Sequence, residues 1–238
     1  MSLYREHGIV LRTYKLGEAD RIVVLITQGR GKVRAVAKGV RKTHSRFGSR
    51  LEPTSHVALQ LYEGRELDIV TQAETIDRFR VIREDLDRLA RAATMLEAVD
   101  QLGLEREPNP RLYQMLLGAL RTLEARDGVL VAPAFYWKLL ALEGLRPELD
   151  VCVSCGSVGP LVAFDLDEGG VLCVDCRRGT PIGAAALELM RRILGGGLAG
   201  VLDEAESAST HEVDHLATRA LEHHLERRLR SVGMLDRG

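Results

Sequence analysis

The chain contains no apolar stretch near the roughly 20 residues needed to cross a bilayer. Met1–Tyr14 has neither the apolar centre nor the small-residue cleavage site of a secretory signal. These absences lead us to expect a soluble cytoplasmic protein in a reducing compartment. A nucleotide-hydrolysis motif is missing too. Gly31 and Lys32 resemble the end of a phosphate loop, but Ile26 and Val33 stand where such a loop needs Gly and Ser or Thr, which argues against an ATP-driven motor. Cysteine is scarce: four in 238 residues, Cys152, Cys155, Cys173 and Cys176.

Those four form two CxxC pairs separated by seventeen residues. Two residues between paired thiols let one tight turn aim both sulfurs at a single ion, and a seventeen-residue spacer suits a short hairpin that returns the second pair to it. Gly156 follows the first pair and Gly179 closes the second, where the chain has to turn sharply. Disulfides would need an oxidising compartment. The pattern predicts one structural Zn2+ on Cys152, Cys155, Cys173 and Cys176, and four thiolates leave no open position for substrate.

The formal net charge of −1 conceals an asymmetry. Residues 1–80 carry fifteen Lys and Arg against nine Asp and Glu, and residues 81–238 carry eighteen against twenty-five, so the halves are near +6 and −7. A polyanion is the expected partner of the first part, and a protein fits the second.

Periodicity divides the chain at the same place. Gly8–Tyr14, Arg21–Thr27, Lys32–Ala37, His56–Tyr62 and Leu67–Val70 are short runs rich in Val, Ile, Leu or Tyr, punctuated by Gly, Asp and Pro. Five such strands, with Gly29–Gly31 and Glu63–Gly64 as hairpin turns, suit a small closed barrel; a sandwich or an SH3-like barrel fits the same pattern. Beyond Thr75 the period becomes helical. Leu86, Leu89, Ala93, Leu96 and Val99 share one face; Leu112, Met115, Leu116, Ala119 and Leu123 share another, after an Asn109–Pro110 start signal. Further helices are predicted at Ala134–Leu145, about Gly183–Leu194, and about His211–Arg230. The last carries Leu221, Leu225, Leu229 and Val232 on one stripe, read as ordinary core. The expected fold is α+β: a barrel domain over 1–80, then a helical domain over 81–238 with a zinc knuckle at about 150–179.

From Arg30 to Arg50 there is no acidic residue, but there are eight cations: Arg30, Lys32, Arg34, Lys38, Arg41, Lys42, Arg46 and Arg50. Dense cations with little base-reading equipment suit a phosphate backbone. Phe47, between two arginines, either stacks on bases or anchors the core. His211–His215 matches HExxH, yet Asp214 and the polar Ser207–Thr210 lead-in do not suit the apolar helix of a zinc peptidase, and we read the match as coincidental.

Gly8–Arg12, Leu16–Val23, Ala35–Arg41 and Arg50–Pro53 together resemble the bacterial RecO family of DNA repair proteins. Gly144–Pro147 leading into Cys152–Gly156, and Gly169–Gly170 before the second cysteine pair, extend the resemblance. It covers most of the chain and is weakest over 85–130 and 195–210. Some members lack the cysteine pairs. The resemblance implies an N-terminal OB-fold and a helical domain with an embedded zinc knuckle. It also implies a non-enzymatic mediator of the RecF pathway, which binds single- and double-stranded DNA, anneals complementary strands and joins RecR. With RecR, such a mediator helps load RecA onto strands coated with single-stranded DNA-binding protein, in the cytoplasm at the nucleoid. The alternative is an adaptor whose barrel and acidic helical domain bind proteins, because fold does not settle function.

Overall fold

The computed structural model of the chain describes residues 2–43, 45, 47–229 and 231. Five strands, β1 (Leu3–Leu16), β2 (Asp20–Thr27), β3 (Gly31–Ala37), β4 (His56–Tyr62) and β5 (Asp68–Asp77), close in the order β1-β2-β3-β5-β4. The pairings are antiparallel except for β3 with β5, where Ala35 lies beside Asp68 and Val36 beside Ile69. This is the topology of an OB-fold. Alternate residues Val23 and Leu25, Val33 and Ala35, and Val57, Leu59 and Leu61 fill the interior.

The outside of β2 is not left to solvent. Val24 and Ile26 face away from that interior and are nonetheless fully buried. Three helices, α1 (Arg80–Glu84), α2 (Leu86–Leu102) and α3 (Pro110–Ala125), belong with the barrel in one unit, made of the described residues up to Ala125 together with Leu229 and Ser231; residues 126–228 form a second. The change of pattern near residue 80 and this division by packing therefore fall at different places. The segment after α2 clasps the start of β3: Lys32 N donates to Leu104 O at 3.1 Å and Arg106 N to Lys32 O at 2.9 Å. Gly31, at φ +66°, is required there, since a Cβ would lie 1.8 Å from the Glu107 carbonyl oxygen.

The cap signals are used as predicted. The Asn109 side chain accepts from Leu112 N at 3.0 Å, with Pro110 opening α3. On α2 the buried face is Ala92, Met95, Leu96 and Val99. Leu86 and Leu89, expected on that face, are exposed; they occupy the first turn, whose Asp85 cap rather than its packing fixes the helix start.

His56 on β4 lies 2.7 Å from the Tyr113 hydroxyl of α3. Burial, reinforced by the nearby Arg121 and His7 and opposed by Asp77, lowers its pKa to about 4. Unfolded histidine titrates near 6.5. Between those values the unfolded chain binds the extra proton, so this stabilisation is full above about pH 6.5 and is lost as pH falls towards 4. The urea midpoint should drop between pH 7 and pH 5, and His56→Gln should flatten that drop; parallel curves for the two proteins would assign it to other groups.

In the second unit α4 (Val131–Leu142) precedes the knuckle, and α5 (Ala184–Gly195), α6 (Leu198–Val201) and α7 (Ala208–His224) follow it. The helical expectation did not include a small sheet, β7-β6-β8, made of β6 (Leu161–Asp165), β7 (Gly170–Cys173) and β8 (Thr180–Pro181). The last helix was expected to reach Arg230. It stops at His224, and Glu226, at φ +52°, turns the chain away. Leu221 and Leu229 are buried, as ordinary core would be, while Arg230 and Val232 lie outside the described residues. Among the described residues no helix is long and apolar enough to cross a membrane.

Candidate metal centre and nucleic-acid interface

The β6–β7 hairpin brings the cysteine pairs together. Cys173 ends β7, and Val153 N, next to Cys152, donates to Val171 O on that strand at 2.9 Å. Cys152 N donates to Ser157 O, and Gly156 N to Cys152 O, both at 2.8 Å, closing the first turn. Gly156 and Gly179 both adopt positive φ, +76° and +74°, and a Cβ on Gly179 would meet the Phe164 carbonyl at 2.4 Å.

All four Sγ atoms lie within 4.8 Å of one another, and Cys155 and Cys173 are 3.7 Å apart. A tetrahedral ion with sulfurs at about 2.3 Å needs them roughly 3.8 Å apart. Burial raises the Cys152 thiol pKa, but the N–H groups of Cys173, Cys155 and Ser154 outweigh it and bring the value down to about 6. Such a cluster can hold a metal ion, and its soft donors form a closed set.

HExxH leads elsewhere. His211 is in the exposed first turn of α7, with Nε2 2.9 Å from Glu206, and Ser207 and Thr210 form the N-terminal capping box. Glu212 accepts from Gly183 N at 2.7 Å, at the start of α5. Among the described residues only the four thiols gather as a metal-binding group.

The barrel separates the basic segment into two rims. The β2–β3 and β4–β5 connections lie at one rim; the β1–β2 turn and the loop 38–55 lie at the other, about 20 Å away along β3. Arg30 and Lys32 belong to the first rim and are engaged there. Arg30 pairs with Glu63 at 3.4 Å and lies 3.9 Å over the Tyr4 ring. Lys32, its side chain 14% exposed, donates to Asp100 O at 2.6 Å. Arg34 projects outward midway along β3, 3.7 Å from Glu105.

Lys38, Arg41, Lys42 and Arg50 gather at the second rim. The loop there is built rather than loose. Gly39 N donates to Asp20 Oδ1 at 2.7 Å, Arg41 N to Ala19 O at 2.9 Å, and Arg41 Nη1 to Gly17 O at 3.3 Å. Arg50 Nη1 donates to Phe47 O at 3.2 Å. Arg83 holds the loop's far end through Pro53 O and Ser55 Oγ, at 2.6 and 2.9 Å. Among the described residues Lys38, Arg41 and Lys42 are exposed and form no ion pair with a carboxylate. Arg46 lies outside the described residues.

Phe47 is 1% exposed and, with Leu51, packs among the residues that fill the barrel. The stacking role is therefore set aside: with no ring face in solvent, Phe47 cannot meet a base. Phe47→Ala should cost about 3–5 kcal/mol, read as a lower denaturation midpoint.

Arg12 and Tyr14 were not picked out from the sequence. A bulge between Val10 and Arg12 changes the register, placing Arg12 opposite Val24 and Tyr14 opposite Ile22, on the barrel's outer face. Arg12 Nε is 2.6 Å from Asp100 Oδ2, and its guanidinium lies 4.7 Å from the Tyr14 ring centre.

The fold and these two sites define a class: an OB-barrel protein with a basic rim and a four-cysteine cluster able to hold a metal in a helical segment. The model described as "Recombination protein O N terminal" matches residues 1–79, and "Recombination protein O C terminal" matches residues 83–232. A DNA repair protein RecO of Frankia casuarinae is 44% identical over 243 residues, covering 100% of both chains. One of a Nocardioides species is also 44% identical, over 245 residues, 99% of this chain and 100% of the relative. The chain belongs to the RecO family of DNA repair proteins.

Proposed function

We propose that the protein is a non-enzymatic recombination mediator that binds single- and double-stranded DNA through residues 1–80 and anneals complementary strands. The observation that carries this reading is the cluster of Lys38, Arg41 and Lys42, exposed and without carboxylate partners among the described residues, on the rim of an OB barrel. Cations there neutralise phosphates on two strands and lower the repulsion opposing their encounter, while base pairing itself supplies specificity. Arg34 and Arg50 extend the path; Lys32 is occupied by Asp100, and its role is to fix the rim.

One Zn2+ on Cys152, Cys155, Cys173 and Cys176 is the resident metal, with a structural role. When bound it supplies a four-way cross-link between the hairpin and the chain leaving α4. Family membership supports action in the RecF pathway, in the cytoplasm at the nucleoid. RecR is the expected direct partner, and RecA is loaded onto strands coated with single-stranded DNA-binding protein.

The test is annealing of complementary oligonucleotides coated with single-stranded DNA-binding protein, without nucleotide. Fast annealing is expected. With about five phosphate contacts, log affinity for a single strand should fall against log salt with a slope of roughly −3 to −4. A folded, metal-loaded protein that neither anneals nor binds would favour the adaptor reading, in which the barrel binds protein.

A further inference from the structure

We propose that Tyr14, clamped by Arg12, is a base-stacking platform on the outer side of β1 next to the loop rim, so that this part of the barrel selects unpaired DNA strands. The proposal rests on the DNA-binding reading and names the substrate class of that same barrel.

The bulge at Leu11 sets the arrangement. It places Arg12, Val24 and Arg34 in one row across three strands, and Tyr14, Ile22 and Val36 in the next. Lys38 follows directly at the rim, beyond the last paired residue of β3. Cations thus lie on both sides of an apolar row that begins with an aromatic ring.

Tyr14 and Tyr62 are the exposed aromatic side chains among the described residues, at 40% and 38%. Tyr14 alone of the two has a guanidinium against its ring. Asp100, itself buried, grips Arg12 by Nε and holds that guanidinium in place. One ring face is therefore covered by a fixed cation, which attracts the ring quadrupole. The ring is 40% exposed, and that accessible surface can receive a base without first ordering the side chain. The tyrosine hydroxyl has no hydrogen-bond partner among the described residues, so the Arg12 contact is the polar interaction on the side chain.

Stacking needs an unpaired base, because duplex bases are already stacked within the helix and present only edges and phosphates. The rim cations accept any backbone, whereas Tyr14 accepts only a strand with exposed base faces. Charge complementarity with phosphate selects nucleic acid over a neutral or basic protein surface. Lys38, with no carboxylate partner among the described residues, lies at one side of the row; Arg12 and Arg34, each also beside a carboxylate, lie at the other.

The experiment compares Tyr14→Ala and Tyr14→Phe with the unaltered protein, by fluorescence anisotropy at fixed salt. Three labelled probes of equal length are used: an oligothymidylate, an abasic strand and a duplex. Tyr14→Ala should bind oligothymidylate about tenfold more weakly, within the roughly 5- to 150-fold worth of one base stack. Binding to the abasic strand and the duplex should not change, and Tyr14→Phe should behave as the unaltered protein. Equal losses on all three probes, or none on oligothymidylate, would overturn the stacking role while leaving DNA binding standing. Failure of the unaltered protein to bind any probe would remove the DNA-binding reading and this inference with it.

Discussion

Cys155→Ser should release the metal and unfold the knuckle while leaving the barrel intact. In small zinc modules the ion contributes on the order of 10 kcal/mol to folding, comparable with the entire stability of a native domain, about 5–15 kcal/mol. Away from the thiols the hairpin is anchored by Phe164 against Trp137 and by the Arg178–Asp165 pair, but around the thiols themselves the packing is thin. Its apolar cluster comprises Ala163 and Leu172 with Cys152 and Cys173, and Val153, Leu161 and Cys176 pack only partly against it. Three of those residues, Cys152, Cys173 and Cys176, are the proposed ligands themselves, so losing the ion also loosens the packing. Metal per chain should fall from near one to near zero. The amides of Cys152, Val153, Gly156 and Val171 should exchange rapidly with solvent, since their hydrogen bonds form the turn and its link to β7. Amides of β1–β5 should keep their protection, and DNA affinity should change little. A folded Cys155→Ser protein that kept its zinc would remove Cys155 from the ligand set.

Reversing Lys38, Arg41 and Lys42 together to Glu should abolish annealing. Three attractive contacts become three repulsive ones on a rim where no carboxylate currently balances them among the described residues. A loss of affinity on the order of 100-fold or more is expected for strands of unrelated sequence. The fold should survive. These side chains are exposed, and the hydrogen bonds holding the loop to the β1–β2 turn come largely from backbone N–H groups of Gly39 and Arg41. Arg80→Glu, on exposed α1, is the charge control and should anneal normally. Unchanged annealing by the triple variant would move the DNA site off this rim.

Much of the barrel was legible because each strand contains a short apolar run bounded by turn residues. Polar residues at strand ends gave no such signal: β1 (Leu3–Leu16) extends beyond the predicted Gly8–Tyr14 at both ends, and β5 runs to Asp77, past the predicted Val70. His56–Tyr62 is a strand over the predicted span, and β3 begins one residue earlier than predicted. The cysteine cluster was legible because spacing alone constrains four thiols. The rest depended on contacts made far along the chain. Arg30 and Lys32 look like their basic neighbours in sequence, but Glu63 and Asp100, thirty-three and sixty-eight positions on, engage them. Phe47 was ambiguous because its position in the loop says nothing of the barrel opening it fills. Arg12 and Tyr14 were hidden by one extra residue: strict alternation from inward-facing Val10 would turn both into the barrel, and the bulge reverses them.

The clasp between β3 and the segment after α2 bears on how the family's two parts can be inherited. The family models divide between residues 79 and 83. Yet Asp100, Leu104 and Arg106, beyond that boundary, bond to Arg12 and Lys32 before it. A recombinant gene joined at residue 80 would pair one relative's barrel with another's outer wall. The hydrogen bonds at Lys32 involve the backbone and would tolerate foreign side chains, but the Arg12–Asp100 pair and the covering of Val24 and Ile26 would not. Functional chimaeras between relatives should therefore have their crossover near residue 125, where packing changes partners, with Leu229 and Ser231, the latter bonded to Glu97 on α2, matched to the front of the gene.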